Sequence, residues 1–411
     1  VLLATQTKVE NMADREYPLK GVTVIDLGQV YQGPYAGFLL AQAGADVIKV
    51  EPPDGEPLRV REKISGVTLL PMAMLNQHKR DITINLKHEK GRLLLKDLVK
   101  HADVLLENYA PGVLDKLGVG ADVLMKANPR LIYASGTGYG LSGPDRESLA
   151  MDITVQAASG VMSITGFPDG PPVKAGPAIV DFTSGAHLYA AIVTALFERE
   201  RTGKGRLVEV AMVETMYPTL ASYLGANSTT ESGVPTRTGN HHGGLALSPY
   251  NVYEAKDGFI AVICISEKHW RNLLSAMERE DLAEDDRFRS NGRRVRNIEE
   301  TDALISDWAK TKTREEIFEM TKTHKVPSAP VRDLAEVTAN EHMHQRGMLH
   351  HLHHYSLGDI VVPGSPLRFH GTPQKGPAQN PLLGENNQEV LREMLGLSDA
   401  EIQKLVEDEA I

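Results

Sequence analysis

The chain has 411 residues, more than one ordinary hydrophobic core supports, so two domains are expected. Apolar residues make up 41% and charged residues 24%, the balance of a globular protein rather than a disordered or fibrous one. A formal net charge of -10 opposes non-specific nucleic-acid binding, which needs a basic surface, but leaves room for a local basic pocket.

Residues 1–17 lack the basic start and long apolar run of a secretory signal, and are expected to be a leader or disordered segment, with Met12 a candidate start. Strand and helix signals then alternate. GVTVIDLG (21–28) is β-rich, PYAGFLLAQAGA (34–45) has helical periodicity with Pro34 in its first turn, and DVIKVE (46–51) is the next strand. DITINL (81–86), a helix over 88–102, DVLLEN (103–108), RLIYASGTGYG (130–140), helices near 152–163 and 184–201, and LVEVAM (207–212) follow. Apolar strands spaced by helices predict a mostly parallel α/β sheet with crossover helices. Near residue 225 the texture turns to Gly, Ser, Thr and Pro, as in a long loop. A hairpin at Asp257-Gly258 and amphipathic helices near 267–277, 297–310 and 313–323 follow, with a terminal helix pair over 384–408. The expected division is a large domain over 18–225, a small α+β domain over 226–330, and a tail over 331–411 that returns to the large domain.

The lone cysteine, Cys264, excludes an intrachain disulfide and sits in the apolar run FIAVICI, so no thiol chemistry is expected and the compartment reads as reducing. No apolar stretch reads as a membrane span. The expected setting is the cytoplasm, or the mitochondrial matrix in a eukaryote, with no nucleic-acid or membrane partner.

Gly28, Gly33 and Gly37 are spaced too widely for a dinucleotide G-x-G-x-x-G, although the strand pair ends in Glu51. The loop they occupy still offers a helix N-terminus and N–H groups to a phosphate-bearing ligand. The six histidines of 341–355 have no zinc-type spacing and no Cys partner within the run, so no metal is expected. Asp145, Asp152 and Asp169 fit turn or cap positions. Asp181 is different. It follows the apolar run AIV and precedes a long helical pattern, where Thr183 and Ser184 are themselves competent caps. A carboxylate there is expected to stay ionised beside backbone donors and the positive helix end, which suits both a cap and a nucleophile.

Several segments in order widen that reading. PLKGVTVIDLGQVYQGPYAGFLLAQAGADVIKVEPP, NQHKRDITINLK, DVLLENYAPGVLDKLGV, PRLIYASGTGYGLSGP, TGKGRLVEVAM and PLLGENNQEVLREMLGLS resemble the class III CoA-transferases, the formyl-CoA transferase or CaiB/BaiF family. The resemblance runs from about residue 18 to the C-terminus and implies a large Rossmann-like domain, a small domain and an interlocked homodimer. It implies acyl-CoA and a small carboxylic acid as substrates and no metal. It makes Asp181 the nucleophile that carries an anhydride and then an aspartyl-CoA thioester, with Gly243 and Gly244 in NHHGGLALSP as oxyanion donors. For CoA it implies Val30, Tyr31, Gln32, Ile84, Lys87, Asn108, Tyr109, Lys116 and the turn Gly136, Thr137, Gly138, Tyr139, Gly140. Arg237, His241 and His242 are candidates for a second substrate carboxylate, and a dicarboxyl-CoA such as succinyl-CoA is a natural donor.

Some positions depart from the pattern. Relatives carry Gln where Tyr31 stands, with Gln32 one place along, and some carry Arg and Lys where Pro52 and Thr137 stand. These departures argue against formyl-CoA/oxalate exchange. Related α-methylacyl-CoA racemases place a His before an Asp, where this chain has Met151 before Asp152, and a thioether moves no proton. His187 lies two helical turns beyond Asp181 and is not assigned as a base. The alternatives are a racemase-like isomerase and a non-catalytic acyl-CoA-binding subunit of a heteromeric transferase. Retention of Asp181 argues against the latter.

Overall fold

The computed structural model describes residues 15–60, 70–227 and 235–411. Most of the expected leader, and part of the Gly-rich stretch after 225, lie outside them. The described chain forms two compact units. The first contains the residues up to Val155, Pro177–Met216 and Thr338–Ile411, and the second Gln156–Gly176 and Tyr217–Val337. The second unit thus starts earlier than the change of texture near 225, and takes an excursion at 156–176 that local composition does not mark.

The first unit is built on β1 (Thr23–Asp26), β2 (Asp46–Glu51), β3 (Lys79–Thr83), β4 (Val104–Glu107), β5 (Ile132–Thr137) and β6 (Leu207–Ala211). All neighbours are parallel, in the order β3-β2-β1-β4-β5-β6. Val24 lies opposite Val47 on one side and Val104 on the other. The order reverses between β1 and β4, the switch point where such sheets open a crevice at their carboxyl ends.

Alternation within the strands fills both faces. Ile25, Ile48, Ile82 and Leu105 pack with Leu94, Leu95 and Leu98 of helix Glu89–Val99 and with Val390, Leu391 and Ile402 of the C-terminal helices. Val24, Val47, Val104 and Ile132 pack on the other face with Ala36 and Leu40 of helix Gln32–Gln42 and Leu188 and Ile192 of helix Ile179–Thr202. That last helix contains a window of mean hydropathy 1.4, long and apolar enough to cross a membrane by length and composition, contrary to the expectation from local runs. In the structure it packs on β5, β6 and the first helix, which accounts for its apolar stripe.

The C-terminal segment seals the free edge of β3. Asn386 Oδ1 accepts from Asp81 N–H (2.9 Å) and Asn387 Oδ1 from Thr83 N–H (2.8 Å), so two side chains stand in for a seventh strand. A separate antiparallel hairpin, β10 (Leu349–His354) with β11 (Gly358–Pro363), carries part of the histidine run.

The second unit holds an antiparallel sheet of β7 (Tyr250–Ala255), β8 (Gly258–Ile263) and β9 (Ser328–Pro330). Helices Glu267–Ala276, Ile298–Ala309 and Arg314–Thr323 cover it, burying Tyr253, Ile260, Trp270, Leu273, Ile305 and Ile317. Cys264 belongs to this core, and burial pushes its thiol up to about 12.

Candidate active site

Asp181 is the third residue of helix Ile179–Thr202, which begins earlier than the sequence pattern suggests. Thr183 and Ser184 therefore lie inside the helix and cannot cap it. Ser184 Oγ instead donates back to Val180 O (2.7 Å) and Asp181 O (3.0 Å). The first-turn donors are met by Asp152, whose Oδ2 accepts from Val180 N–H (2.9 Å) and Asp181 N–H (3.3 Å). Asp152 is a cap as expected, but for a helix far along the chain.

The residue after the nucleophile candidate, Phe182, stands against aromatic rings. Tyr31 stacks on Phe182 with centroids 5.8 Å apart, and Tyr35 meets Phe182 edge-on at 4.9 Å. Gly185 makes this approach possible, because a Cβ there would stand 2.7 Å from Gln32 O. Burial, and then the Asp152 carboxylate, push Asp181 up to about 7. The expectation of a fully ionised Asp181 is therefore corrected. The helix end faces a second acid, and desolvation works against charge.

The loop between β1 and its helix joins this acid to a cavity of about 980 Å³ at the carboxyl ends of the strands. Gln29 lines the cavity and Val30, Tyr31 and Gln32 follow it toward Phe182. Four of the CoA candidates, Ile84, Lys87, Tyr109 and Lys116, line the same cavity, with both lysines exposed. Pro52, Pro53 and Gly55 form another wall. Glu51 also lines it, but Arg59 binds its carboxylate (2.7 Å), so it is not free for a ribose. Asn108 is occupied structurally: its amide accepts from Gln29 N–H (2.7 Å) and donates to Gln29 O (3.0 Å). Gln32 is buried against Gly136, and its Nε2 has no partner among the described residues. Thr137, Gly138 and Tyr139 are not among the lining residues and form the turn after β5, with Thr137 Oγ1 accepting from Gly140 N–H (2.8 Å). Met151 is 62% exposed and His187 bonds Thr183 O (2.8 Å), while Asp145 and Asp169 are exposed.

In the second unit, Gly243 packs so closely on the Tyr223 ring that a side chain there would clash. Gly244 N–H donates to His242 Nδ1 (3.1 Å), so in this conformation it is not available to an oxyanion. Arg237 is committed too. Its guanidinium donates to Phe167 O (3.2 Å), Ser163 O (3.3 Å) and Gly170 O (2.7 Å), holding a loop rather than a carboxylate. His241 Nε2 meets Asp302 (2.7 Å), which also accepts from Asn251 and Tyr253, and this bond raises the imidazole's pKa. Among the described residues no group of three or more His, Cys, Asp or Glu side chains is placed to hold a metal ion.

The family model described as CoA-transferase family III matches residues 19–387. This chain belongs to that family. It is 34% identical to the succinyl-CoA–L-malate CoA-transferase beta subunit of Chloroflexus aurantiacus, over 94% of this chain and 96% of the relative. It is 35% identical to the formyl-CoA:oxalate CoA-transferase of Streptomyces coelicolor, over 94% of this chain and 97% of the relative. A solved CAIB/BAIF family protein from Brucella suis superposes with a TM-score of 0.80 at 32% identity, covering 92% of this chain and all of that one. The family III CoA-transferase thus combines a Rossmann-type sheet with an acid in a helix's first turn, which sequence pattern locates. Asp152 reads in the sequence only as a turn or cap residue, and Tyr35 and Phe182 carry no signal of their own. The one available signal was the apolar, aromatic setting of Asp181 in IVDFTSG.

Proposed function

We propose that this CoA-transferase moves CoA between two carboxylic acids through covalent intermediates on Asp181. The observation that carries the reading is a half-buried carboxylate in a helix's first turn, joined through Phe182, Tyr31 and the Gln29–Gln32 loop to a cavity with two lysines. The nucleotide of CoA lies in that cavity, with Lys87 and Lys116 opposite its phosphates. The pantetheine arm follows the loop toward Asp181. The Asp181 carboxylate attacks the thioester carbonyl, the C–S bond breaks, and CoA thiolate leaves a mixed anhydride. The thiolate then attacks the aspartyl carbonyl and expels the donor acid, giving an aspartyl-CoA thioester. The acceptor carboxylate displaces the thiolate to form a second anhydride. The thiolate then takes the acceptor acyl group, which regenerates the Asp181 carboxylate. Each step conserves thioester-level energy, and no proton leaves carbon. Gln32 Nε2 is a donor for the developing oxyanions, and the family resemblance makes Gly243 N–H a further candidate. Met151 offers no base for racemisation.

The donor is a dicarboxyl-CoA, with succinyl-CoA the first choice. His241, whose pKa the Asp302 bond raises, is the candidate for the distal carboxylate. A second copy of the chain completes the enzyme as a homodimer and covers exposed apolar side chains such as Phe197 and Leu149. Light scattering tests the dimer. The chemistry is tested by hydroxylamine trapping and mass spectrometry after mixing enzyme with acyl-CoA. A hydroxamate at Asp181 is expected, together with a loss of at least about a thousandfold in transfer for Asp181→Ala. Full activity in that variant would end the proposal.

A further inference from the structure

The Gly28–Val30 backbone is held by side chains at every polar group from Gly28 N–H to Val30 N–H. Asp26 accepts from Gly28 N–H (2.8 Å), Lys49 Nζ donates to Gly28 O (2.9 Å), and Asn108 takes both polar groups of Gln29. Glu56 Oε2 accepts from Val30 N–H (3.1 Å). Val30 has φ 62, in the left-handed region that favours glycine, and it is β-branched. Such a conformation persists only where its surroundings over-determine it.

Glu56 is 1% exposed and Lys49 is fully buried, with their charges 3.3 Å apart. A buried pair of this kind is costly, and replacing it by apolar residues of similar volume is often neutral or stabilising. Stability alone therefore does not account for it. Its neighbours balance the charge. Lys79 pairs with Asp26 (2.8 Å) and Arg59 with Glu51 (2.7 Å), while burial and Glu51 push the pKa of Asp81 up. Glu56 is also the residue that follows the cavity wall Pro52–Gly55, and its own N–H is fixed by Glu51 Oε2 (2.8 Å). One carboxylate thus ties the cavity wall to the loop that leads to Phe182 and Asp181.

We infer that Glu56, charge-compensated by Lys49, is a positioning residue that holds Val30 in its left-handed conformation and so aligns CoA bound in the cavity with Asp181. The inference rests on the reading of this cavity as the CoA site. It separates binding of the nucleotide, which needs the cavity, from presentation of the thioester, which needs the loop.

The test compares Glu56→Gln with Glu56→Gln/Val30→Gly, using kcat/KM for acyl-CoA and inhibition by 3′-phospho-ADP. For Glu56→Gln we expect kcat/KM to fall at least tenfold while the inhibition constant stays within threefold. Glycine at position 30 adopts the left-handed conformation without strain, so the double variant is expected to recover at least threefold of the loss. If Glu56→Gln does not fold, Lys49→Met/Glu56→Gln leaves neither partner of the pair as an uncompensated charge, and the same two measurements apply with Val30→Gly added. Wild-type kcat/KM in the folded variant, a parallel loss in both measurements, or no gain from Val30→Gly would each overturn the inference. Failure of 3′-phospho-ADP to inhibit the wild-type enzyme would instead overturn the reading of the cavity.

Discussion

Replacing Asp152 by Asn removes one negative charge beside Asp181 and leaves an oxygen to accept from the Val180 and Asp181 N–H groups. Asp152 Oδ2 is 3.3 Å from the Asp181 amide, and side chains so placed carry their charges on the order of 6 Å apart. At an effective dielectric of about 40, two unit charges at that distance repel by about 1.4 kcal/mol, or about one pH unit. Burial is the larger cause of the raised Asp181 pKa and is unchanged by the substitution. The reactive form is the carboxylate, so kcat/KM for acyl-CoA falls as pH drops below about 7 in the wild-type enzyme. In Asp152→Asn that limb moves about one unit toward acid. At pH 6 the ionised fraction then rises from roughly a tenth to about half, so activity relative to the alkaline plateau rises about fivefold. The assay is initial-rate acyl-CoA consumption at low substrate across pH 5.5 to 9, with circular dichroism to confirm folding. A weaker cap would lower every point alike. A limb that stays in place, or moves toward alkaline pH, would refute the assignment of Asp152 as the neighbouring charge.

Asp181→Asn tests the same group through stability. An acid raised in the folded state binds its proton more tightly there than in the unfolded chain. Its unfavourable contribution therefore grows as pH rises from about 4 to about 7. The amide is expected to raise Tm by a few degrees at pH 8, about 1–3 kcal/mol, and by less at pH 5, as read by calorimetry. Gly243→Ala forces a methyl into the Tyr223 ring and is expected to cost about thirtyfold or more in kcat, with inhibition by 3′-phospho-ADP unchanged. Lys87→Ala and Lys116→Ala are each expected to raise KM for acyl-CoA about three- to tenfold and to flatten its dependence on salt, leaving kcat within about twofold.

The parallel sheet is legible because most of its strands are short apolar runs closed by turn residues, while β3 (Lys79–Thr83) starts two residues before the apolar pattern of 81–86 and stops at Thr83. β9 is not, since Ser328–Pro330 is three residues long and flanked by Pro327, which reads as loop. Asp181 is legible as an acid without an obvious capping role. Its electrostatics are not, because the acid that raises it, and the rings that meet the neighbouring Phe182, come from elsewhere in the chain. Asp152 is 29 positions upstream, and Tyr31 belongs to the first loop. Thr183 and Ser184 misled as caps because the helix begins at Ile179, within a run whose apolar residues suit a strand equally well. Lys49 and Glu56 carry a weak signal in the sequence: a lysine inside the apolar strand DVIKVE must find a buried acid or break the strand.

The asparagines that seal β3 bear on how this chain survives its own synthesis. An uncovered edge strand with a free row of N–H groups is a template for pairing with another chain, and a route to aggregation. Asp81 and Thr83 receive their covering from residues 305 and 304 positions later, so the template stays open until that distant segment has been made. Asn386 and Asn387 then act as a late-arriving guard on a sheet whose other elements are complete.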